Sequence, residues 1–145
     1  MKALDDVRVL DLTHFYNGPY AALVLGFFGA QIIKIEPPNI GERSRTIFPI
    51  PGVENESYPF VMLNSNKQGV TLNLKAARGQ ELFKQLVKDA DVVIENFAVG
   101  VMGRLGLGWD VLKQINPRLV YATSTGYGQT GPYSAYPAFD PIVQA

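Results

Sequence analysis

The stretch from residue 8 to residue 36 restricts the possible folds of this chain more than any other feature. It reads RVLDL, then the polar turn THFYNGP, the apolar segment YAALVLGFFGA and a second apolar run, QIIKIE. A strand, a polar turn, a helix and a second strand make one β-α-β unit. In such units the loop after the first strand lies at the carboxyl edge of the sheet, where ligands bind. The sequence therefore predicts a ligand loop at residues 13–18.

The rest of the chain repeats this alternation of strands and helices. Apolar runs predict strands at residues 7–12, 31–35, 70–74, 92–94 and 119–124. Helices are predicted at residues 20–28, 75–90 and 109–115, with a further one beginning at Asp140. The alternation predicts an α/β fold with an open, mostly parallel, doubly wound Rossmann-like sheet. Because the last strand would lack a covering helix, we expect the sheet to be incomplete at the C-terminus and the chain to be a fragment.

The predicted helices carry different apolar patterns. Residues 20–28 are almost wholly apolar, so we expect this helix to be buried, with Asn17 or Gly18 as its N-cap. Residues 75–90 instead place their apolar side chains on one face, which is typical of a surface helix. At the last helix, Asp140 is predicted to be the N-cap.

Three further segments have less regular patterns. Residues 39–58 show little periodicity and much glycine and proline, and a loop of this length in a compact domain is either functional or mobile. Residues 59–64 form a short apolar patch, and residues 66–69 are predicted to form a turn. Residues 100–108 contain four glycines around Arg104, which allow close approach to a ligand.

Composition excludes several classes of protein. Thirteen basic residues balance thirteen acidic ones, so no overall field attracts nucleic acid or an anionic membrane. The absence of cysteine excludes a disulfide scaffold, a thiolate zinc site and a cysteine nucleophile. The apolar run at residues 23–28 is too short to span a bilayer, and the N-terminus lacks the pattern of a signal peptide. We therefore expect a soluble cytoplasmic protein that binds neither nucleic acid nor membranes.

The ligand loop does not match the standard nucleotide-binding motifs. A dinucleotide fold needs Gly-x-Gly-x-x-Gly after the first strand, whereas this loop contains only Gly18. Glu36 ends the second strand, where an acidic residue can hold a ribose, but without the glycines NAD and FAD are disfavoured. The chain also has no Walker loop and no Gly-x-Ser-x-Gly nucleophile elbow.

Three polar residues have competing structural and functional interpretations. His14, the only histidine, is either a turn residue that bonds its own loop or a functional group at a strand end. A single histidine without cysteine argues against a metal site. Asp140 is the best local candidate for a working carboxylate, although a helix cap is the simpler interpretation. Asp11, inside a strand, is interpreted as a structural polar contact.

Basic residues recur beside the predicted loops. They are Arg43, Arg45, Lys67, Lys75 and Arg104. Each one alone is typical of ordinary surface charge. Lys75 and Arg104 border the predicted ligand edge, however, and Phe97 follows a buried strand, where its ring can cover a flat group. Together these residues favour a ligand that carries phosphates and an aromatic base.

A series of short motifs runs in order along essentially the whole chain. They occupy residues 9–13, 17–19, 29–37, 64–67, 72–75, 90–97, 105–107, 116–121 and 126–132. Among them are ADVVIENF, which ends at Phe97, and GYGQTGP, which begins at Gly126. Together they resemble the family III CoA-transferases, also called the CaiB/BaiF family. That family contains formyl-CoA, carnitine and bile-acid CoA-transferases as well as α-methylacyl-CoA racemases.

The resemblance implies a CoA thioester enzyme that forms an interlocked homodimer and has no metal ion or covalent cofactor. Residues 1–145 would be the N-terminal part of its large CoA-binding α/β domain, and the second domain would lie outside the chain. Carried over by position, the pantetheine and thioester region is lined by His14, Tyr16 and Asn17. The adenosine and phosphate end is held by Leu72, Leu74, Lys75, Asn96, Phe97 and Arg104. The thiol end is flanked by Tyr136 and Phe139.

The resemblance also identifies groups that this chain lacks. In the transferases of the family a single aspartate attacks the acyl-CoA, forming an acyl anhydride and then an enzyme-CoA thioester. That residue would follow Ala145, so no catalytic nucleophile is expected in this chain, and Asp140 would have a supporting role. Two phosphate contacts of some family members are missing, because Pro37 replaces an arginine and no lysine lies near Pro137.

Three functions remain open from the sequence. We prefer an acyl-CoA:carboxylate CoA-transferase, of which this chain alone would be inactive. The alternative within the family is an α-methylacyl-CoA racemase, which uses a histidine where this chain has Phe139, and a phenyl ring cannot carry a proton. The alternative from another class is a non-catalytic nucleotide- or CoA-binding module that is complete at this length.

Overall fold

A single five-stranded sheet organises the computed structural model, which describes residues 1–54 and 56–144. Asn55, within the predicted loop at residues 39–58, and Ala145 lie outside the described residues. The strands are β1 Arg8–Asp11, β2 Gln31–Glu36, β3 Gln68–Thr71, β4 Val92–Glu95 and β5 Val120–Thr123. Their order is β3-β2-β1-β4-β5, and every pairing is parallel. The predicted α/β fold with an open, parallel Rossmann-like sheet is confirmed.

The strand order reverses beside β1. The chain adds β2 and β3 on one side of β1, and then returns to add β4 and β5 on the other. The loops that follow β1 and β4 therefore leave the sheet in opposite directions, and a crevice opens between them. In open α/β sheets this crevice is the usual position of a ligand.

Helices cover both faces of the sheet. They are α1 Asn17–Phe27, α2 Tyr58–Asn64, α3 Ala77–Lys88, α4 Val101–Arg104, α5 Trp109–Ile115 and α6 Asp140–Val143. Side chains alternate along a strand, so neighbouring residues of β1 enter different cores. Leu10 packs with Phe83 of α3 and Leu112 of α5, whereas Val9 packs with Ala22 of α1. This two-sided packing is that of a doubly wound fold.

Helix α1 departs from its prediction in two respects. It begins at Asn17, with Tyr16 at the N-cap position and no side-chain capping bond, so neither Asn17 nor Gly18 caps it. It is also only partly buried, because Phe27 is 63% and Phe28 56% exposed. A uniformly apolar helix has no polar stripe to identify its outer side, so the sequence pattern could not reveal that only one side is covered.

Three shorter elements also differ from prediction. The apolar patch at residues 59–64 belongs to helix α2, and the side chain of Ser57 caps it. Strand β3 begins at Gln68, inside the segment predicted as a turn. Asp140 is the first residue of α6 rather than its cap, since Phe139 holds the N-cap position and no side-chain capping bond forms.

Candidate functional site

The crevice between β1 and β4 contains a hydrogen-bonded group of polar residues. The backbone N–H of His14 donates to Asn96 Oδ1 at 2.9 Å, and Asn96 Nδ2 donates to the His14 carbonyl oxygen at 2.8 Å. Asn96 Nδ2 also lies 3.4 Å from Asn17 Oδ1, and Asn17 Nδ2 donates to Ser124 Oγ at 2.7 Å. Because parallel strands end at one edge, the fold brings together residues that follow β1, β4 and β5.

A buried ion cluster, made of Asp11, Lys34 and Lys67, holds both ends of the ligand loop. Asp11 Oδ2 lies 2.8 Å from Lys67 Nζ and 3.6 Å from Lys34 Nζ. Lys34 Nζ donates to the carbonyl oxygen of Thr13 at 2.8 Å, and Lys67 Nζ donates to that of Pro19 at 2.9 Å. No side chain of the cluster is more than 2% exposed. The loop is thus fixed at each end by an ammonium group, and both groups share one carboxylate.

The buried ion cluster shows that Asp11 and Lys67 are internal structural contacts. Asp11 Oδ1 accepts hydrogen bonds from Thr13 N at 2.8 Å and Thr13 Oγ1 at 2.5 Å, which confirms its predicted structural role. Burial lowers the pKa of Lys67, and although Asp11 opposes this change, the nearby charge of Lys34 adds to it. Lys67 is therefore an internal cation and not an ordinary surface charge.

A second buried carboxylate, Glu42, joins the segment at residues 39–58 to the ligand loop. Glu42 Oε1 accepts from Phe15 N at 2.7 Å and Ser44 N at 3.0 Å, and the Ser44 hydroxyl donates to Oε2. His14 Nδ1 lies 3.5 Å from Glu42 Oε1. Burial alone raises the pKa of Glu42, but the neighbouring His14 imidazole and the hydrogen bonds from Ser44 and Phe15 outweigh it and lower the pKa to about 2.

Glu42 also supports an uncommon backbone conformation in the ligand loop. Phe15 has a φ of +66°, in the left-handed region that residues with a side chain rarely adopt. Its N–H bond to the Glu42 carboxylate is charge-assisted, and such bonds are stronger than bonds between neutral groups. The conformation of Phe15 turns the chain from β1 toward α1.

Arg45 ties the same segment to the sheet. Arg45 Nε and Nη2 bond the two carboxylate oxygens of Glu36 at 2.8 and 2.9 Å, and Nη1 bonds Glu56 at 3.0 Å. The guanidinium carbon also lies 3.5 Å from the centre of the Phe60 ring. Arg45 is thus an internal contact rather than a surface charge. The carboxylate of Glu36 is already bonded by Arg45, whereas a ribose ligand would need this carboxylate to be free.

Aromatic rings adjoin the ligand loop. The ring of Phe97 lies 5.6 Å from the imidazole of His14, and Phe139 meets Phe15 edge-on at 6.1 Å between ring centres. The second contact brings the segment before α6 to the loop. The ring of Tyr136 instead contacts that of Tyr133 at a tilt of 44°. Tyr16 is 40% exposed.

The remaining predicted residues lie farther along the same edge of the sheet. Leu72, Leu74 and Lys75 follow β3, two strands away from β1. Both leucines pack partly buried against the core, whereas Lys75 and Arg104 are exposed. Within the described part of the chain, the side chains of these two basic residues make no ion pair or hydrogen bond. Both charges are therefore available to an anionic ligand.

The described residues include no group of three or more His, Asp and Glu side chains that could hold a metal ion. None of the helices described is long and apolar enough to cross a membrane.

A cavity of about 330 Å³ opens beside the end of β5, and its lining includes Trp109, Tyr121 and Gln129.

Sequence reasoning missed Glu42, Ser124 and Lys34. Glu42 stands in an irregular segment, where no spacing marks a carboxylate as buried. Ser124 directly follows β5, so the rule that singled out His14 at a strand end would also have found it. Lys34 interrupts an apolar strand, and a charge at that position is a signal for a buried partner.

Comparison with known proteins gives consistent results. A family model described as CoA-transferase family III matches residues 4–145. An acetyl-CoA:oxalate CoA-transferase of Acetobacter aceti is 48% identical over 141 residues, which cover 97% of this chain and 36% of that relative. A formyl-CoA:oxalate CoA-transferase of Streptomyces coelicolor is 43% identical over 144 residues, 99% of this chain and 34% of the relative. The chain thus spans about a third of the length of these curated relatives.

A solved structure shows the same relationship at the level of the fold. The crystal structure of a CAIB/BAIF family protein from Brucella suis matches with a TM-score of 0.91 at 38% sequence identity. The match covers 99% of this chain and 38% of that one. The fold of this chain is therefore shared with part of a much longer protein.

Proposed function

Because the chain belongs to CoA-transferase family III, we propose that it is the N-terminal, CoA-binding part of an acyl-CoA:carboxylate CoA-transferase. The reaction moves coenzyme A from an acyl-CoA thioester to a carboxylic acid. One observation carries the proposal: His14, Asn17 and Asn96 meet where the strand order reverses, the usual ligand position of such sheets.

The proposed contacts divide according to the chemistry of coenzyme A. We assign its adenosine and phosphate end to Leu72, Leu74, Lys75, Asn96, Phe97 and Arg104. The free charges of Lys75 and Arg104 support this assignment, because phosphates bind cations that are not already paired. We assign the pantetheine arm and thioester to His14, Tyr16 and Asn17, and the thiol end to Tyr136 and Phe139. The contact between Phe139 and Phe15 supports placing the thiol end beside the ligand loop.

The proposed mechanism uses an aspartate that would follow Ala145. Its carboxylate attacks the thioester carbonyl carbon, the carbon–sulfur bond breaks, and an acyl anhydride forms as the CoA thiolate leaves. The thiolate then attacks the aspartyl carbonyl and releases the acyl group as a carboxylate, leaving an aspartyl-CoA thioester. The second half of the reaction is the reverse of the first. The carboxylate of the acceptor acid attacks the aspartyl-CoA thioester and displaces the CoA thiolate, and the thiolate then attacks the carbonyl carbon of the acceptor and releases the aspartate. Asp140 has a supporting role in this scheme and is not the nucleophile.

A transferase fits this chain better than a racemase. A racemase of this family requires a proton-carrying residue at the position of Phe139, and a phenyl ring has no proton to exchange at neutral pH. A racemase would exchange the α-hydrogen of a 2-methylacyl-CoA with solvent. Deuterium incorporation by the full-length protein without acid-dependent CoA transfer would therefore favour the racemase.

The acceptor is proposed to be a dicarboxylate, with oxalate as the first to test, because both relatives compared above are named for oxalate. The experiment measures oxalyl-CoA formation by the full-length protein from acetyl-CoA or formyl-CoA and oxalate. A protein that binds CoA with no turnover of any acid would instead support the non-catalytic module.

We extend the proposal to a homodimer that is located in the cytoplasm. Light scattering tests the oligomeric state, and cell fractionation tests the location.

The CoA site itself is tested by one substitution in the full-length protein. Arg104→Ala removes an unpaired charge at the ligand edge, so CoA affinity should fall by about tenfold in calorimetry. Arg118→Ala is the matched control, because Arg118 is exposed and precedes β5, at the amino edge of the sheet. Equal affinities of the Arg104 variant and the wild type would remove Arg104 from the site.

A further inference from the structure

We propose that Glu42 is a positioning residue for His14 and holds its imidazole in the tautomer with the proton on Nδ1. Nε2 then carries the lone pair and meets a ligand as a hydrogen-bond acceptor. The tautomer depends only on the charges and contacts around His14 in this chain, whereas the identity of the ligand rests on the proposed function.

The evidence lies around the imidazole ring. His14 Nδ1 is 3.5 Å from Glu42 Oε1, and the two side chains are 16% and 1% exposed. The Phe97 ring lies 5.6 Å from the imidazole centre and restricts its rotation. Glu42 is the one charged side chain paired with His14 among the residues described, and Nε2 makes no hydrogen bond to any of them. Nε2 is therefore the ring nitrogen left for a ligand.

The carboxylate of Glu42 distinguishes between the two neutral tautomers. An N–H at Nδ1 is attracted to the negative charge, whereas a lone pair at Nδ1 is repelled by it. The low exposure of Glu42 strengthens both effects, because little water screens the charge. A neutral histidine in water favours the proton on Nε2, so a majority of the Nδ1–H form requires a neighbour of this kind.

One contact opposes this assignment. The backbone N–H of Arg43 donates to His14 Nδ1 at 3.5 Å, and this hydrogen bond uses the lone pair that Nδ1 carries in the other tautomer. The carboxylate contact is equally long, so the strength of the charges decides. A full negative charge outweighs the partial charge of an amide N–H. Phe15 N and Ser44 N also hold Glu42 Oε1 in place, so the carboxylate cannot turn away.

An acceptor at Nε2 selects ligands that present an N–H or O–H group. The pantetheine arm of coenzyme A has amide N–H groups, and we infer that one of them donates to Nε2. The imidazole would then fix the arm without taking part in the transfer itself. This role is distinct from that of a general base, because no proton moves.

Nuclear magnetic resonance of the imidazole nitrogens tests the tautomer directly. The full-length protein is labelled with ¹⁵N histidine and measured at a pH where His14 is neutral, and the His14 signals are identified by their loss in His14→Gln. We expect the Nδ1–H form to predominate in the wild type. Glu42→Gln removes the charge at nearly constant size, so the ratio of Nδ1–H to Nε2–H should fall by roughly tenfold.

Ser44→Ala is the control for Glu42→Gln. It removes the hydroxyl bond to Glu42 but leaves the charge beside His14, so the tautomer ratio should stay unchanged. A predominance of Nε2–H in the wild type overturns the proposal, and so does an unchanged ratio in Glu42→Gln. If Glu42→Gln does not fold, the wild-type spectrum alone decides.

Added coenzyme A tests the second half of the inference. A change in the Nε2 signal of His14 on binding supports its role as an acceptor. Binding that leaves Nε2 unchanged overturns that role. The absence of any CoA binding overturns the proposed function, and the tautomer measured without ligand still stands or falls by itself.

Discussion

At the scale of single residues, ionised side chains bond the backbone groups of the ligand loop, which a strand or helix would bond within its own secondary structure. Lys34 and Lys67 bond carbonyl oxygens at its two ends, and Glu42 accepts the N–H of Phe15 between them. Buried backbone groups without a partner cost free energy, and a loop that has left the sheet has no neighbouring strand to bond. Asp11 lies beside both ammonium groups, and its single negative charge balances one of the two positive charges that hold the loop.

Replacing Lys67 by methionine tests this support. We expect the free energy of unfolding to fall by about 3 kcal/mol, because the change leaves Asp11 only the more distant Lys34 and takes the donor from the Pro19 carbonyl oxygen. Urea unfolding measures the loss. In the control, Lys113→Met breaks an ion pair with Asp110 whose side chains are 43% and 88% exposed, and the loss should stay within about 0.5 kcal/mol. Equal losses would contradict a special role of the buried ion cluster.

Glu42 makes the stability depend on pH in the acid range. Its pKa is about 2 in the folded protein against an ordinary value of 4.5, so the folded state binds this proton less readily than the unfolded state. The stabilisation is therefore complete above about pH 4.5 and is lost as the pH falls toward 2, a change on the order of 3 kcal/mol. The free energy of unfolding, measured across this pH window, should fall less steeply toward acid pH in Glu42→Gln than in the wild type. Glu81→Gln, at an exposed site, should keep the wild-type slope.

The sequence could predict polar residues at strand ends but not their partners. His14 was found because it follows an apolar run, and strand ends share one edge of a parallel sheet, whereas Asn96 was assigned through the family resemblance. Glu42 lies in a segment without periodicity, so its burial depends on contacts 27 residues away in the chain. Arg45 and Lys67 resembled surface charges for the same reason, since pairing with Glu36 and Asp11 is a property of the folded chain.

At the scale of secondary structure, close packing between elements explains where glycine is needed. Gly79 lies in the first turn of α3, and a Cβ atom added there would be 2.0 Å from the backbone oxygen of Asn73. The helix can therefore approach the segment after β3 only because this residue has no side chain. That segment carries Leu74 and Lys75, which are assigned to the proposed CoA site.

Gly79→Ala should consequently displace the segment after β3. We expect a loss of about 1–3 kcal/mol in stability and a weaker affinity of the full-length protein for coenzyme A. Gly103→Ala is a matched helical control for the stability measurement, because an added Cβ meets nothing within 4 Å. That variant should change stability by less than about 1 kcal/mol. Similar losses of stability in the two variants would mean that the contact with Asn73 can relax freely.

Elements were predicted well where the pattern had a clear period or a clear boundary. The five strands and the amphipathic helix α3 were found because apolar runs and one-sided periodicity identify them. Helix α2 was missed, since seven residues are too few to establish a helical period. The start of α1 was placed too late, because Pro19 was given the first turn although the helix already begins at Asn17.

At the scale of the whole molecule, exposed apolar side chains lie both beside the polar site, as at Phe139, and away from it. The site lies at the carboxyl ends of β1 and β4, where loops and charges collect. The part that lies away from the site includes α1 and the adjoining helix α2, where Tyr20 is 59% and Met62 61% exposed. The apolar composition of α1 predicts a buried helix, and the same composition makes the exposed side of α1 prone to association.

The 145-residue chain should therefore associate through this surface when it is prepared alone. Phe27 and Phe28 are more than half exposed, and apolar patches of this kind bind hydrophobic dyes and one another. We expect dye fluorescence and a mass in light scattering that rises with concentration above 15.9 kDa. Replacing both phenylalanines by serine should reduce both signals, whereas Phe48→Ser, an exposed ring outside α1 and α2, should leave them nearly unchanged. A monomer at all concentrations that binds no dye would show that this surface is not adhesive.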